Sequence, residues 1–249
     1  MELMGLGAVA GKQGLGTMAI TPLGLQMASL PLEPTLARVL LEATHEGCTR
    51  DVIDLVSLMG NRDGVFVSSA ASQDEARAAH ARFTHREGDH LMLLSVLRAF
   101  DDVPQQERRE WCRANYIGMR ALLNVAESRR QLRERLQRLG IDPDVGVASA
   151  GDDGSGDASI LRACLTGLFA NVATLTPDGN SYAHRMTRQP VAIHPSSCLH
   201  GKRHAAIMYD ELVLTSRTYA RTCSVVDVRW LQEKVPQIYS AQVQAASEK

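Results

Sequence analysis

The sequence predicts a multi-domain α + β protein: a helical domain, then a small β-barrel, with a short mixed segment ahead of both. Three observations carry this. Apolar residues recur at helical spacing through residues 33–140. The stretch "IDPDVGVASAGDDGSGD", residues 141–157, is rich in Gly, Asp and Ser and reads as a flexible linker, the clearest boundary in the chain. Beyond it, over 158–240, short β-branched runs alternate with turn residues, the pattern of a small barrel.

Taken in order, residues 1–32 predict a short apolar helix from Glu2 to Val9, a Gly-rich turn and a short strand around Met18 to Ile20. A helix follows, opened by Thr21 as N-cap and Pro22 at the first helical position. In the helical part, Leu36, Val39, Leu40 and Ala43 share one face, as do Val52, Ile53, Val56 and Met59. Gln73 to Phe83 reads as an exposed amphipathic helix. Asp89 is the expected N-cap of "HLMLLSVLRAF". A long amphipathic helix carries Leu122, Val125, Ala126, Arg129, Leu132, Leu136 and Leu139 and stops at Gly140. After the linker, a short helix (Ser159 to Thr166) precedes "GLFANVATL", and the runs "YAHRM", "QPVAIHP", "AAIMYDELVLTS" and "YARTCSVVDVRWL" read as strands. Residues 241–249 form a polar tail.

The composition narrows the function classes. The net charge of −1 gives no global basic field, so any nucleic-acid contact must be a local patch. The only lysines are Lys12, Lys202, Lys234 and Lys249, and every other basic residue is Arg, the side chain suited to phosphate and carboxylate forks. Five scattered cysteines without a C-x-x-C argue for a reducing, intracellular setting. No apolar run reaches membrane-spanning length.

Several familiar motifs fail. There is no G-x-x-x-x-G-K-[ST] phosphate loop, since no hydroxyl follows the lysine of "GKQGLG". "DEAR" (Asp74 to Arg77) lacks the buried apolar strand that would bring its Asp to Mg²⁺. The chain by itself is therefore not expected to hydrolyse ATP. The densest constellation is "VAIHPSSCLHGKRH", residues 191–204. Cys198, His200 and His204 have a C-x-H-x₃-H spacing, with Cys223 or His184 available as a fourth zinc ligand. Against zinc, no paired C-x-x-C accompanies them, and Lys202 and Arg203 beside His204 disfavour a cation. Ser196 and Ser197 lack the G-x-S-x-G elbow of a nucleophile.

"ITPLGLQMASLPLEPTLARVLLEATHEGC", "EGDHLMLLSVLRAF", "WCRANYIGMRALLNVAESRRQL", "GLFANVATL", "VAIHPSSCLH", "YDELVLTSRTYAR" and "WLQEKVPQIY" together resemble, in order and spacing, the C-terminal half of DEAH-box RNA helicases. The resemblance runs from about Glu2 to Tyr239. It implies a partial winged-helix segment over 1–32, a helical ratchet (helicase-associated) domain over 33–140 and an OB-fold over 158–240. The two ATPase domains, with their ATP and Mg²⁺, would lie outside this chain, so no cofactor is expected on it. The implied partner is single-stranded RNA in the nucleus, as in mRNA splicing and other ribonucleoprotein work. Glycine-patch-type activator proteins and the missing ATPase domains are the implied protein partners. The alternative is a motor-less protein-interaction module.

On this resemblance the candidate RNA contacts sit at strand-end turns: Ser196 and Ser197 after "VAIHP", Lys202 and Arg203 in the next loop, and Thr215, Ser216 and Arg217 at another turn. Hydroxyls, turn amides and cations there suit phosphate oxygens. Arg120 and Arg129 match the family pattern in the long helix and are candidates for the RNA path, whereas Trp111 reads as a packing anchor. His194 reads as an anchor of the turn. The chain departs from the family where Arg217 replaces a usual Lys, Ala206 an aromatic and Ala220 a methionine.

Overall fold

The computed structural model describes residues 2–11, 18–146 and 155–236. The middle of the expected linker, Lys12 and the polar tail lie outside them. At the N-terminus, α1 (Glu2–Gly5) is shorter than the predicted Glu2 to Val9, because Gly7 turns at φ 73° and Val9 opens a strand. That strand, β1 (Val9–Gly11), pairs antiparallel with β2 (Met18–Ile20), and α2 (Pro22–Ala28) follows. The Thr21 cap forms as expected: its Oγ1 accepts from Gly24 N at 3.0 Å and donates to Gly7 O at 2.6 Å.

The helical body comprises α3 (Pro34–Glu46), α4 (Thr49–Gly60), α5 (Gln73–Ala81), α6 (Asp89–Asp101), α7 (Arg108–Ala114) and α8 (Met119–Arg138). Only Ala76 of α5 is buried, so this is the exposed helix the sequence predicts. Trp111 packs with ring centroids 5.9 Å from both Phe83 and Phe100, an anchor as expected. The chain after α8 folds back on α4, with Arg50 N donating to Val145 O at 2.8 Å and Arg133 paired with Asp144. The helix beyond the linker, α9 (Ser155–Gly167), begins earlier than expected and takes in the last residues assigned to the linker. It lies against α3 so closely that a Cβ on Gly167 would sit 2.3 Å from Thr35 O, an approach only glycine permits.

The strands β3 (Val172–Leu175), β4 (Tyr182–His184), β5 (Pro190–Ile193), β6 (Ala206–Leu214) and β7 (Thr218–Val225) close a barrel in the order β3-β4-β5-β7-β6. Only β5 and β7 are parallel, the pattern of a five-stranded Greek-key barrel of OB type. The end of the last predicted strand run is instead a helix, α10 (Val228–Lys234), because Asp227 caps it by accepting from Arg229 N. The barrel interior holds Tyr182, Val191, Ile193, Leu199, Ile207, Tyr209, Ala220 and Cys223. Val172, Ala206 and Met208 face the other way and join the core of the helical body. Thus the first halves of β3 and β6 are buried on both faces. Lys234 of α10 pairs with Glu42 and Glu46 of α3, bringing the last described helix onto that same body. No described helix is long and apolar enough to cross a membrane.

The seam between barrel and helices is polar and buried. Asp89 is not the N-cap of α6; Gly88 holds that place at φ 118°, ψ −166°, a conformation that belongs to glycine. Asp89 is freed to accept two barrel amides, Cys198 N at 2.8 Å and Cys223 N at 2.7 Å. Beside it His90, fully buried, donates from Nε2 to Asp210 Oδ1 at 2.9 Å, while Nδ1 meets Ser224 Oγ at 2.8 Å. Asp210 also takes Arg62 at 3.0 Å, and Arg62 reaches Glu211 at 2.8 Å. Removing the shared acceptor leaves an imidazole N–H with no water to turn to. Asp210→Ala is therefore expected to lower stability by about 2–4 kcal/mol, seen as a reduced urea midpoint at unchanged slope.

Candidate nucleic-acid interface

The outward side of the barrel is set by one backbone irregularity. Thr222 lies in the left-handed region at φ 55°. Strict alternation would put residues 219, 221 and 223 on one face. Instead Ala220 and Cys223 both enter the barrel core, and Tyr219 and Arg221 face outward, the kind of re-aiming that irregular strands produce. The parallel register sets Ala192 opposite Tyr219, and His194 N donates to Ala220 O at 2.9 Å. His194 therefore lands beside Tyr219, their rings edge to face with centroids 5.5 Å apart.

A continuous chain of contacts results. Arg217 Nε donates to Tyr219 Oη at 3.0 Å, and its guanidinium carbon lies 5.0 Å from the Tyr219 ring centroid. The Arg217 hydrogen bond, with help from Ser216, pulls the Tyr219 phenol below its usual pKa. On the other side, His194 Nδ1 accepts from Ser196 N at 3.1 Å and meets Ser196 Oγ at 2.7 Å. Accepting at Nδ1 puts the neutral ring's proton on Nε2. Burial, then Arg221 and His200, push the His194 pKa down, so the ring is uncharged at neutral pH.

The expected contacts divide. Ser196 is exposed, but Ser197 turns inward: its Oγ accepts from Leu199 N at 3.2 Å and lies within reach of the Cys223 thiol. That placement makes Ser197 the closure of the turn. Thr215, Ser216 and Arg217 form the exposed β6–β7 turn, closed by Thr215 N to Arg217 O at 3.1 Å. Lys202 and Arg203 are exposed, and neither they nor Arg217 have a carboxylate partner among the described residues. Arg203 reaches the β3–β4 turn, its guanidinium 3.8 Å from where a Cβ on Gly179 would lie. The β3–β4 and β6–β7 turns are the two loops with which OB barrels hold oligonucleotides. The zinc spacing does not converge: Cys198 donates to His85 O while His200 is exposed, and no group of described His, Cys, Asp or Glu is arranged to hold a metal.

The two helical candidates also differ. Arg120 is exposed on the first turn of α8 without an ion pair among the described residues. Arg129 pairs with Asp54 and Asp101, each at 2.8 Å, and so ties α8 to α4 and α6. Burial pushes the Asp54 carboxyl up to about 6 against the pull of Arg129. Arg129→Ala should therefore lose about 1–3 kcal/mol at pH 7, by denaturant titration, because it leaves a partly buried carboxylate unpaired. Protonation relieves that cost: the folded pKa lies above the unfolded value, so the loss should shrink as pH falls below 6. Arg120→Ala should leave stability unchanged at both pH values.

Tyr219 and His194 are the residues of the candidate interface that sequence reasoning missed or discounted. Their signal was present in "YAR" and "IHPSS", but their adjacency depends on the β5–β7 register and on Thr222.

Comparison with known proteins agrees with this architecture. Residues 33–93 match the helicase associated domain (HA2), ratchet-like, and residues 160–238 the oligonucleotide/oligosaccharide-binding (OB)-fold. ATP-dependent RNA helicase DHX33 of Mus musculus is 35% identical over 230 residues, 92% of this chain and 31% of its own. Probable ATP-dependent RNA helicase DHR2 of Saccharomyces cerevisiae is 36% identical over 229 residues, 87% of this chain and 31% of its own. Pre-mRNA-splicing factor ATP-dependent RNA helicase DEAH10 of Arabidopsis thaliana is 29% identical over 247 residues, 94% of this chain and 33% of its own. The chain thus spans about a third of the length of the curated relatives it matches. Over most of its length it is a homologue of DEAH-box ATP-dependent RNA helicases, and what it carries of them is the ratchet-like helicase-associated domain and the OB-fold domain.

Proposed function

We propose that this chain is the RNA-guiding module of a DEAH-box helicase. It holds single-stranded RNA by its backbone, while ATPase domains outside this chain drive unwinding. One observation carries the reading: Lys202, Arg203 and Arg217 are exposed at barrel turns without carboxylate partners among the described residues, whereas Arg62, Arg129 and Arg162 are paired internally. Cations left free on one module are available to phosphate. The Ser196 hydroxyl and the turn amides add neutral contacts of the kind that position a backbone without reading sequence. On this reading the work belongs to RNA in the nucleus, where splicing, named for the Arabidopsis relative, takes place.

A second reading has its own observation. Leu3, Met4, Met18, Ile20 and Leu25 of the N-terminal segment are exposed, an apolar surface suited to a protein contact. The chain would then be an interaction module without RNA affinity.

A salt titration separates the two. Each phosphate contact contributes about 0.7 to the salt slope for a single strand. The triple change Lys202→Ala, Arg203→Ala, Arg217→Ala should weaken binding to single-stranded RNA and flatten the slope by up to about two units. Ser196→Ala should cost about 1 kcal/mol or less, since a neutral hydrogen bond exchanges with water. A folded triple mutant that binds as the parent does across the titration would remove this face from the RNA path and favour the interaction module.

A further inference from the structure

We infer that Arg217 is a base-stacking arginine, backed by Tyr219, so that the barrel holds at least one unpaired base as well as the phosphate chain. This rests on the RNA-binding reading above and adds to it the chemical group recognised. The argument starts from what fixes the side chain. An exposed arginine on a hairpin turn ordinarily samples many rotamers, and ordering it on a ligand costs free energy. Here Nε is committed to the Tyr219 phenol at 3.0 Å, with the guanidinium carbon 5.0 Å from the ring centroid. The phenol ring is itself held by the edge of His194 at 5.5 Å, and His194 by Ser196.

The guanidinium is therefore ordered before any ligand arrives. Its guanidinium carbon lies over the Tyr219 ring and the residue is exposed, with no carboxylate among the described residues to neutralise it. A planar, delocalised, weakly hydrated cation in that setting suits the π-face of a nucleobase, which stacks on arginine planes as it does on aromatic rings. Phosphate recognition alone does not call for this arrangement: a phosphate needs charge and N–H donors, which an arginine without a ring beside it also supplies. Backing by a ring matters only if the plane itself is used. The uncharged His194 completes the support without adding a competing positive charge at neutral pH.

The test compares two probes of equal length and charge: an oligouridylate of about twelve nucleotides, and the same chain with abasic sugars at every position. The protein used is the whole chain. Stacking is worth about 1–3 kcal/mol per base, so the parent should bind the base-bearing probe about five- to 150-fold more tightly than the abasic one. Arg217→Lys keeps the charge and removes the plane. It should bring the base-bearing probe close to the abasic affinity while leaving the salt slope unchanged. Tyr219→Leu keeps Arg217 and removes its backing, and should do the same in part; thermal melting verifies that both variants fold. Parent protein that binds both probes equally, or an Arg217→Lys variant that keeps the preference for bases, would overturn the inference while the phosphate-guiding reading stands. Parent protein that binds neither probe would overturn both.

Discussion

The Asp89 carboxylate is the contact on which the rest of the structure depends. One oxygen takes the amide of Cys198, in the turn after β5; the other takes the amide of Cys223, in β7. These are the two parallel strands whose register places His194 beside Tyr219. The same carboxylate therefore docks the barrel on α6 and fixes the two segments that carry the candidate interface. It can do so only because Gly88 takes the N-cap position: a Cβ there would lie 2.3 Å from Cys223 O. A residue of any other type would push β7 away from the helix.

Around Asp89 the seam is a hydrogen-bonded network rather than an apolar face. His90, Ser224, Asp210, Arg62 and Glu211 satisfy one another in sequence. Such networks contribute little net stability compared with apolar packing, but they admit far fewer alternative arrangements. The apolar core supplies adhesion across β3, β6 and the helices. The network sets the angle at which the barrel, and with it the β6–β7 turn, is presented.

Much of this was legible in the sequence. The helices follow from buried residues at 3.6-residue spacing, and the strand runs from alternation and turn residues; both are local patterns. The seam was not legible, since the partners of Asp89 lie 109 and 134 residues downstream. Asp ahead of an apolar run is indistinguishable from an N-cap until those partners are in place. The arginines of α8 pose the same problem. Arg120 and Arg129 look alike in sequence, and only the positions of Asp54 and Asp101 separate a free cation from a helix clamp. Ser196 and Ser197 are adjacent and chemically identical, yet the turn sends one hydroxyl out and the other in. Tyr219 was hidden by the conformation of Thr222, which breaks the alternation that sequence reading relies on.

The packing of α9 on α3 also has a consequence in time. Thr35 and Gly167 touch across roughly 130 residues of chain. A ribosome adding about 5–20 residues per second completes α3 roughly 6–24 s before Gly167 is made. Throughout that interval Val39, which ends up fully buried beside Gly167, has no native cover on that side. Until Gly167 is made, an α3 that has already formed presents its Val39 face uncovered. The charges that flank that face, Arg38, Glu42 and Glu46, are the chain's own defence against premature association.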